Sequence, residues 1–175
     1  MKAQKFTLLI VDDDENERFI FEHQFKELHA HYRIHALSSG NEAIAYLKGE
    51  GKFADRSKFE FPSYIITDLG MSDGDGFAIL DFLKTNPALS IIPVVMVSSA
   101  DDPDDVRHAY LLGVSSFFTK PGSTDGLKRL VRRIHEYWID AEVPEVDAEG
   151  YALETSSKGK RGERFAKPQR SPKKT

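Results

Sequence analysis

The sequence of 175 residues predicts an α/β fold, a doubly wound parallel sheet of five strands with helices on both faces. Apolar runs alternate with helical stripes along the chain, and parallel strands require crossovers that are almost always right-handed. Polar residues also stand where the apolar runs end, and the carboxyl ends of parallel strands are where ligands collect.

Each element can be justified in turn. Phe6-Thr7-Leu8-Leu9-Ile10-Val11 is a buried-strand run ending at Asp12, and Phe21, Phe25 and Leu28 then form the stripe of an amphipathic helix. Tyr32 to Leu37 alternates as a strand; Ser38-Ser39-Gly40 supplies a turn and cap before Asn41 to Lys48, where Ile44 and Leu47 face inward. Gly49 to Pro62 reads as a long surface loop, followed by the strand Ser63 to Thr67. Phe77, Leu80, Asp81 and Lys84 lie in a helix stopped by Asn86-Pro87, because proline disfavours helix at the residue before it.

The second half repeats this rhythm. Ile91 to Val97 is a strand (β4) whose proline is tolerable only near its start. Asp102-Pro103 opens the helix α4, which ends before Gly113 in the position of a C′ glycine. Val114 to Thr119 is the strand β5, and Leu127, Leu130, Val131, Ile134 and Trp138 form one face of a final helix, α5.

Composition bounds the function classes. The absence of cysteine excludes a disulfide framework and thiolate metal sites. No stretch approaches the roughly 18 apolar residues of a membrane span, and MKAQKFTLLIVDDD reaches acid too soon for a signal peptide. A soluble, cytoplasmic protein with no membrane partner is expected. The net charge of −4 hides an asymmetry: residues 1–150 carry −10 and residues 151–175 carry +6. The acidic body argues against general nucleic-acid binding, while the Lys-, Arg-, Gly-, Ser- and Pro-rich end reads as a disordered basic tail. A boundary near Val143-Pro144 is expected, with a domain over 1–143 and a tail over 144–175.

The polar words that end the strands are Asp12-Asp13, Asp68, Ser98 and Lys120-Pro121. Three carboxylates, a hydroxyl and an ammonium at one end of a sheet point to a divalent cation and a phosphoryl group, because hard oxygens hold Mg²⁺ and fixed positive charge suits phosphate. The run Gly70 to Gly76 is acidic and lacks the lysine of a nucleotide-binding P-loop, so the chain has no donor nucleotide site of its own. Other polar residues have plainer readings. Asp14 reads as a first-turn acid, Asp73 and Asp75 as turn residues, Trp138 as core or interface, and His29, His31 and His35 as exposed histidines.

The words LLIVDDDE, IITDLGMSDGDGF, IPVVMVSSADD and FFTKP resemble the receiver domain of two-component response regulators over residues 6 to about 140. The spacings agree with that family, 30 residues from Asp68 to Ser98 and 22 from Ser98 to Lys120. The resemblance implies a flavodoxin-like strand order 2-1-3-4-5. It implies that Asp68 is the phosphoacceptor, attacking a phosphohistidine on a histidine kinase or phosphotransfer protein. It implies Mg²⁺ on the Asp13 and Asp68 carboxylates and the Gly70 backbone carbonyl, with Asp12 at the edge of the site through water. Lys120 would hold the phosphoryl charge and Ser98 would bind a phosphoryl oxygen. The Lys120–Pro121 bond is implied to be cis, and Phe117 to be an aromatic switch that acts with Ser98 on the α4-β5-α5 face.

Such a chain catalyses its own phosphotransfer and autodephosphorylation rather than turnover of a separate substrate. It departs from the family pattern at Ser72, where proline is usual, at Ser98, where threonine is commoner, and at Phe117, where tyrosine is frequent. The small Gly70 and Ala100 near the acceptor imply easy access for water and fast hydrolysis. No second pattern follows Trp138, so a stand-alone receiver acting on a protein partner is expected. The long loop ending in EGKFADRSKFEFPSY and the HEYWI segment are similar to receivers that serve phytochrome-type histidine kinases, some of which form homodimers through α4-β5-α5. The alternative is a receiver whose basic tail binds nucleic acid or an acidic partner directly.

Overall fold

The structure, a computed structural model, describes residues 6–28, 32–144, 146 and 150. In chain order the elements are β1 (Phe6–Val11), α1 (Glu15–Leu28), β2 (Tyr32–Leu37), α2 (Gly40–Lys48), a 3₁₀ turn (Gly51–Phe53), β3 (Tyr64–Thr67), α3 (Gly76–Thr85), β4 (Val94–Ser98), α4 (Pro103–Leu111), β5 (Ser116–Thr119) and α5 (Thr124–Asp140). The strands form one parallel sheet in the order β2-β1-β3-β4-β5, the order the resemblance implies.

The apolar strand runs follow from a sheet covered twice. Leu9, Val11, Ile65, Val94 and Met96 face a core closed by α2, α3 and α4, while Leu8, Ile10, Ile66, Val95 and Val97 face a core closed by α1 and α5. Successive side chains of a strand point to opposite faces, so both must be apolar. The helix stripes behave as their spacing predicts. Phe21 and Phe25 are buried on α1, and Leu127, Leu130, Val131, Ile134 and Trp138 on α5. Ser39, Asp75, Asp102 and Ser123 cap α2, α3, α4 and α5, each accepting a backbone N–H from the first turn. Pro103 sits at the start of α4, and Gly113 follows its end at φ +96°, a conformation that glycine adopts without a Cβ clash.

Four expectations need correction. β4 begins at Val94, because Pro93 has no N–H to give the ladder; its carbonyl still accepts from Ile65 N at 2.9 Å. β5 begins at Ser116, two residues later than expected, since Val114 N turns back to the carbonyl of Ala109 at the end of α4. On α2, Ala43 and Tyr46 are buried with Leu47, whereas Ile44 is only half-buried. The segment after α2 is no simple surface loop. Phe53 is buried, Phe59 and Phe61 pack on the core, and Arg56 donates to the carbonyls of Tyr46, Leu47 and Phe59 at 2.6–3.2 Å while lying 4.1 Å over the Phe61 ring. Arg56 thereby supplies a donor to the Leu47 carbonyl at the end of α2 and a second donor to Tyr46, whose carbonyl also accepts from Gly49 N.

Beyond α5, Val143 packs on the α1–α5 core and Val146 on the opposite core. Gly150 is buried near Phe61 and Leu89. The remainder of the basic tail, residues 151–175, lies outside the described residues, as do His29 and His31.

Candidate functional site

Each polar word is still bonded into the sheet where its strand ends. Asp12 N donates to the Leu37 carbonyl at 3.1 Å, Asp68 N to Val11 at 2.9 Å and Lys120 N to Ser98 at 2.8 Å. These bonds bring residues from β1, β3 and β5 to one end of the sheet. The turn after β3 is also fixed, because Gly76 N bonds the Leu69 carbonyl at 3.0 Å and a Cβ at Gly76 would come within 2.5 Å of the Asp68 carbonyl.

Lys120 is the centre of the arrangement. Its Nζ lies 2.9 Å from Asp12 Oδ2 and 2.8 Å from Asp68 Oδ2, and it also pairs with Glu17 from the first turn of α1. Its side chain is only 8% exposed, so these contacts are weakly screened. Burial alone would depress the lysine pKa, but hydrogen bonds with Asp68, Glu17 and Asp12 outweigh it and raise the pKa above its ordinary value. Burial likewise pushes the Asp12 carboxyl up to about 6, against the lowering effects of Lys120 and the Asp14 N–H.

The carboxylates are individually oriented. Asp12 Oδ1 accepts from Asp14 N at 2.9 Å, and the Asp12 carbonyl accepts from Arg18 at 2.5 Å. Asp68 Oδ1 accepts from the N–H groups of Leu69 and Gly70 at 2.6 and 3.3 Å. Asp13 is exposed and accepts from Ser72 N at 3.3 Å. A proline at 72 would have no N–H, so this departure from the family pattern gives Asp13 its backbone donor. One oxygen from each of Asp12, Asp13 and Asp68 lies within 4.8 Å of the others, a hard-oxygen donor set that suits Mg²⁺ or Mn²⁺.

The remaining predicted residues divide. Ser98 is buried at the end of β4, where its Oγ accepts from Ala100 N at 3.2 Å and its carbonyl meets Lys120 N. Phe117, in register with Met96, is half-buried against the α2–α3–α4 core. Gly70 is exposed, with open space where a Cβ would be. The expected cis bond is absent: no peptide bond among the described residues is cis, so Lys120–Pro121 is trans. Trans remains the default of an X–Pro bond, by about 0.5–1 kcal/mol, so a proline permits cis without imposing it.

Asp14, Asp73 and Asp75 have structural duties, Asp14 just before α1 and not in its first turn. Asp14 accepts from Asn16 N and Glu17 N, Asp73 from the Asn41 side chain, and Asp75 caps α3. Glu17 is the residue that sequence reasoning missed. Its one signal is a place one helical turn after Asp13 in DDDENE. A cleft of about 420 Å³ opens beside it, lined among others by Ile20, Lys120, Pro121 and Leu127.

A family model for the response regulator receiver domain matches residues 8–132. The chain belongs to this family. The receiver is 33% identical over 77% of its length to a probable methanogenesis regulatory protein, FilR2, from Methanothrix harundinacea, covering 84% of that protein. It is 28% identical to the response regulator Rcp1 of Synechocystis, over 76% of this chain and 88% of Rcp1. Among solved structures, it resembles the phosphorylated cyanobacterial phytochrome response regulator RcpA, with a TM-score of 0.75 and 29% identity over 81% of this chain and 100% of the other. The Mn²⁺-bound form of Rcp1 has a TM-score of 0.73 and 27% identity over 79% and 99% of the two chains. The receiver is therefore a two-component signalling module. No helix among its described residues is long and apolar enough to cross a membrane.

Proposed function

We propose that this receiver accepts a phosphoryl group on Asp68 from a phosphohistidine of a histidine kinase or phosphotransfer protein, and that the transfer changes its α4-β5-α5 surface. The observation that carries this reading is Lys120 Nζ lying 2.8 Å from Asp68 Oδ2, with Asp12 and Asp13 completing a carboxylate cluster. An Asp68 carboxylate oxygen attacks phosphorus, the phosphorus–nitrogen bond breaks, and the imidazole leaves with the electron pair. The product is an aspartyl phosphate. Lys120 is within reach of the new phosphoryl oxygens, and the Leu69 and Gly70 N–H groups fix the carboxylate during attack. Asp12, Asp13 and Asp68 would hold Mg²⁺, with the Gly70 carbonyl as a further ligand. When bound, the ion neutralises charge that accumulates on the transferring oxygens.

Ser98 is the last residue of β4, and in this reading its hydroxyl gives up the Ala100 N–H to meet a phosphoryl oxygen. Phe117 is then the aromatic group that responds. The surface that follows is apolar for its position: Tyr110 and Leu111 on α4 and Tyr137 on α5 are all more than half exposed, and β5 is an edge strand of the sheet among the described residues. That supports a protein partner or a second copy there. The relation to RcpA supports a phytochrome-type kinase as donor, and a cytoplasmic location fits this reading. Open space at Gly70 supports rapid hydrolysis of the acyl phosphate.

Phosphotransfer from histidine kinases to wild type and Asp68→Asn, with and without Mg²⁺, tests the reading. Labelling requires Mg²⁺ and disappears in Asp68→Asn; retained labelling of the variant overturns the assignment.

A further inference from the structure

An ammonium has three N–H donors, and Lys120 meets three carboxylates: Asp12, Asp68 and Glu17. Two of these have other duties. Asp12 and Asp68 belong to the donor set that could share a cation, and Glu17 does not. A cation on the cluster draws on both of those carboxylates, and a phosphoryl group on Asp68 moves the charge from that carboxylate out to the phosphoryl oxygens. Each event changes which oxygens the lysine meets at the moment when the lysine is needed there. Glu17 is affected by neither. Its Oε2 is closed off from solvent and, among the described residues, faces the Lys120 ammonium alone. Losing that partner would leave a buried carboxylate oxygen unpaired, which is costly.

We infer that Glu17 is a positioning residue for Lys120, holding the ammonium at the edge of the cluster while Asp12 and Asp68 are taken up by the metal and the phosphoryl group. The inference rests on Asp68 being the phosphoryl acceptor. Its location fits the task. Glu17 stands on the first turn of α1, whose start is fixed by Asp14 accepting from the Glu17 N–H at 3.1 Å, and Arg18 next to it is tied to the Asp12 carbonyl. The carboxylate therefore reaches the lysine from a helix anchored to β1, not from a free loop. Its charge is spent in the ion pair, so its removal loosens the ammonium more than it relieves repulsion of an incoming anion.

The test compares wild type, Glu17→Ala and Glu17→Gln as full chains, using nitrogen-15 NMR of the lysine ammonium, with Lys120→Ala to identify its signal. In wild type the Lys120 signal persists on adding Mg²⁺, because the ammonium stays protected. In Glu17→Ala the signal survives without Mg²⁺ and is lost to solvent exchange when Mg²⁺ is added. Beryllofluoride, a phosphoryl mimic, then binds Glu17→Ala about tenfold more weakly than wild type, the loss of one charged hydrogen bond. Glu17→Gln, which keeps the acceptor oxygen, falls between the two. Alanine is the best helix former and the side chain is 30% exposed, so the variant keeps its fold. A protected Lys120 signal in Mg²⁺-loaded Glu17→Ala overturns the inference, as does beryllofluoride binding that is unchanged or tighter. Asp68→Asn separates this from the parent reading: if Asp68→Asn still binds beryllofluoride, that reading fails, whereas lost binding in Asp68→Asn with none lost in Glu17→Ala overturns only the role of Glu17.

Discussion

At the amino ends of β1, β2 and β3 stand Phe6, Tyr32 and Tyr64; at the carboxyl ends of β1, β3 and β5 follow Asp12, Asp68 and Lys120. The first group closes a nearly dry aromatic cluster with Phe25, His135 and Trp138. Tyr64 stacks on Trp138 at 5.2 Å between centroids, and the Tyr32 hydroxyl lies 3.1 Å from both the Tyr64 hydroxyl and His135 Nδ1. Its tyrosine hydroxyls are paired and its rings bury large areas. The second group gathers like charges around one ammonium, and burial raises the Asp12 carboxyl to about 6. The difference teaches that one sheet separates its duties, with favourable packing at one end offsetting the electrostatic conflict that the chemistry needs at the other.

The most severe way to break this comparison is at the aromatic end. Trp138 is 8% exposed and stacked over Tyr64, so Trp138→Ala removes both area and ring contact. It should cost about 3–5 kcal/mol in denaturant unfolding, while phosphotransfer per folded molecule stays as in wild type. A loss under about 1 kcal/mol, within the range of ordinary surface changes, would show that the aromatic end does not carry the fold.

At the charged end the effect runs through a ligand. Mg²⁺ that binds the folded cluster should stabilise the protein by about 2.7 kcal/mol at a hundredfold excess over its dissociation constant. Asp13→Asn should remove most of that gain yet change little in metal-free protein, because Asp13 is exposed and its contact in the structure is a 3.3 Å bond from Ser72. Thermal unfolding with and without Mg²⁺ measures both. Equal stabilisation of the variant would place the ion away from Asp13.

The two ends differed in how far they could be read from sequence. Strand ends were legible because a polar residue after Leu8-Leu9-Ile10-Val11 or Ile65-Ile66-Thr67 cannot continue a doubly covered strand, so Asp12 and Asp68 mark the same end of the sheet. The helix stripes on α1 and α5 were legible for the same reason of burial. Glu17 was not, because an acid in a first helical turn is ordinary and nothing local signals that Lys120 will arrive beside it. The trans Lys120–Pro121 bond was equally hidden, since proline leaves both isomers accessible. The segment after α2 misled by composition: its glycines, charges and proline describe a loop, while Phe53, Phe59 and Phe61 fold it onto the core.

His35 shows that misreading at the smallest scale and gives the finest test. A histidine in an alternating edge strand reads as exposed, but the ring is half-buried between Tyr46 and Phe59, with centroids at 5.3 Å from each. Among the described residues its buried Nε2 has no hydrogen-bond partner. Burial, helped by the nearby Arg33 charge and opposed by Glu60, lowers its pKa below 6.5. The unfolded chain therefore binds the proton more readily than the folded one, so this group's contribution to stability is complete above pH 6.5 and is lost as pH falls through the folded pKa. The buried Asp12 carboxyl has the opposite sign, which makes a single profile ambiguous. Comparing wild type with His35→Phe isolates the term: the stability difference between them should shift against wild type as pH falls from about 7.5 to about 5, measured by denaturant midpoints. A difference that stays flat over this window would mean that the ring protonates as easily in the fold as in the unfolded chain, and that the segment after α2 does not close over β2 in solution.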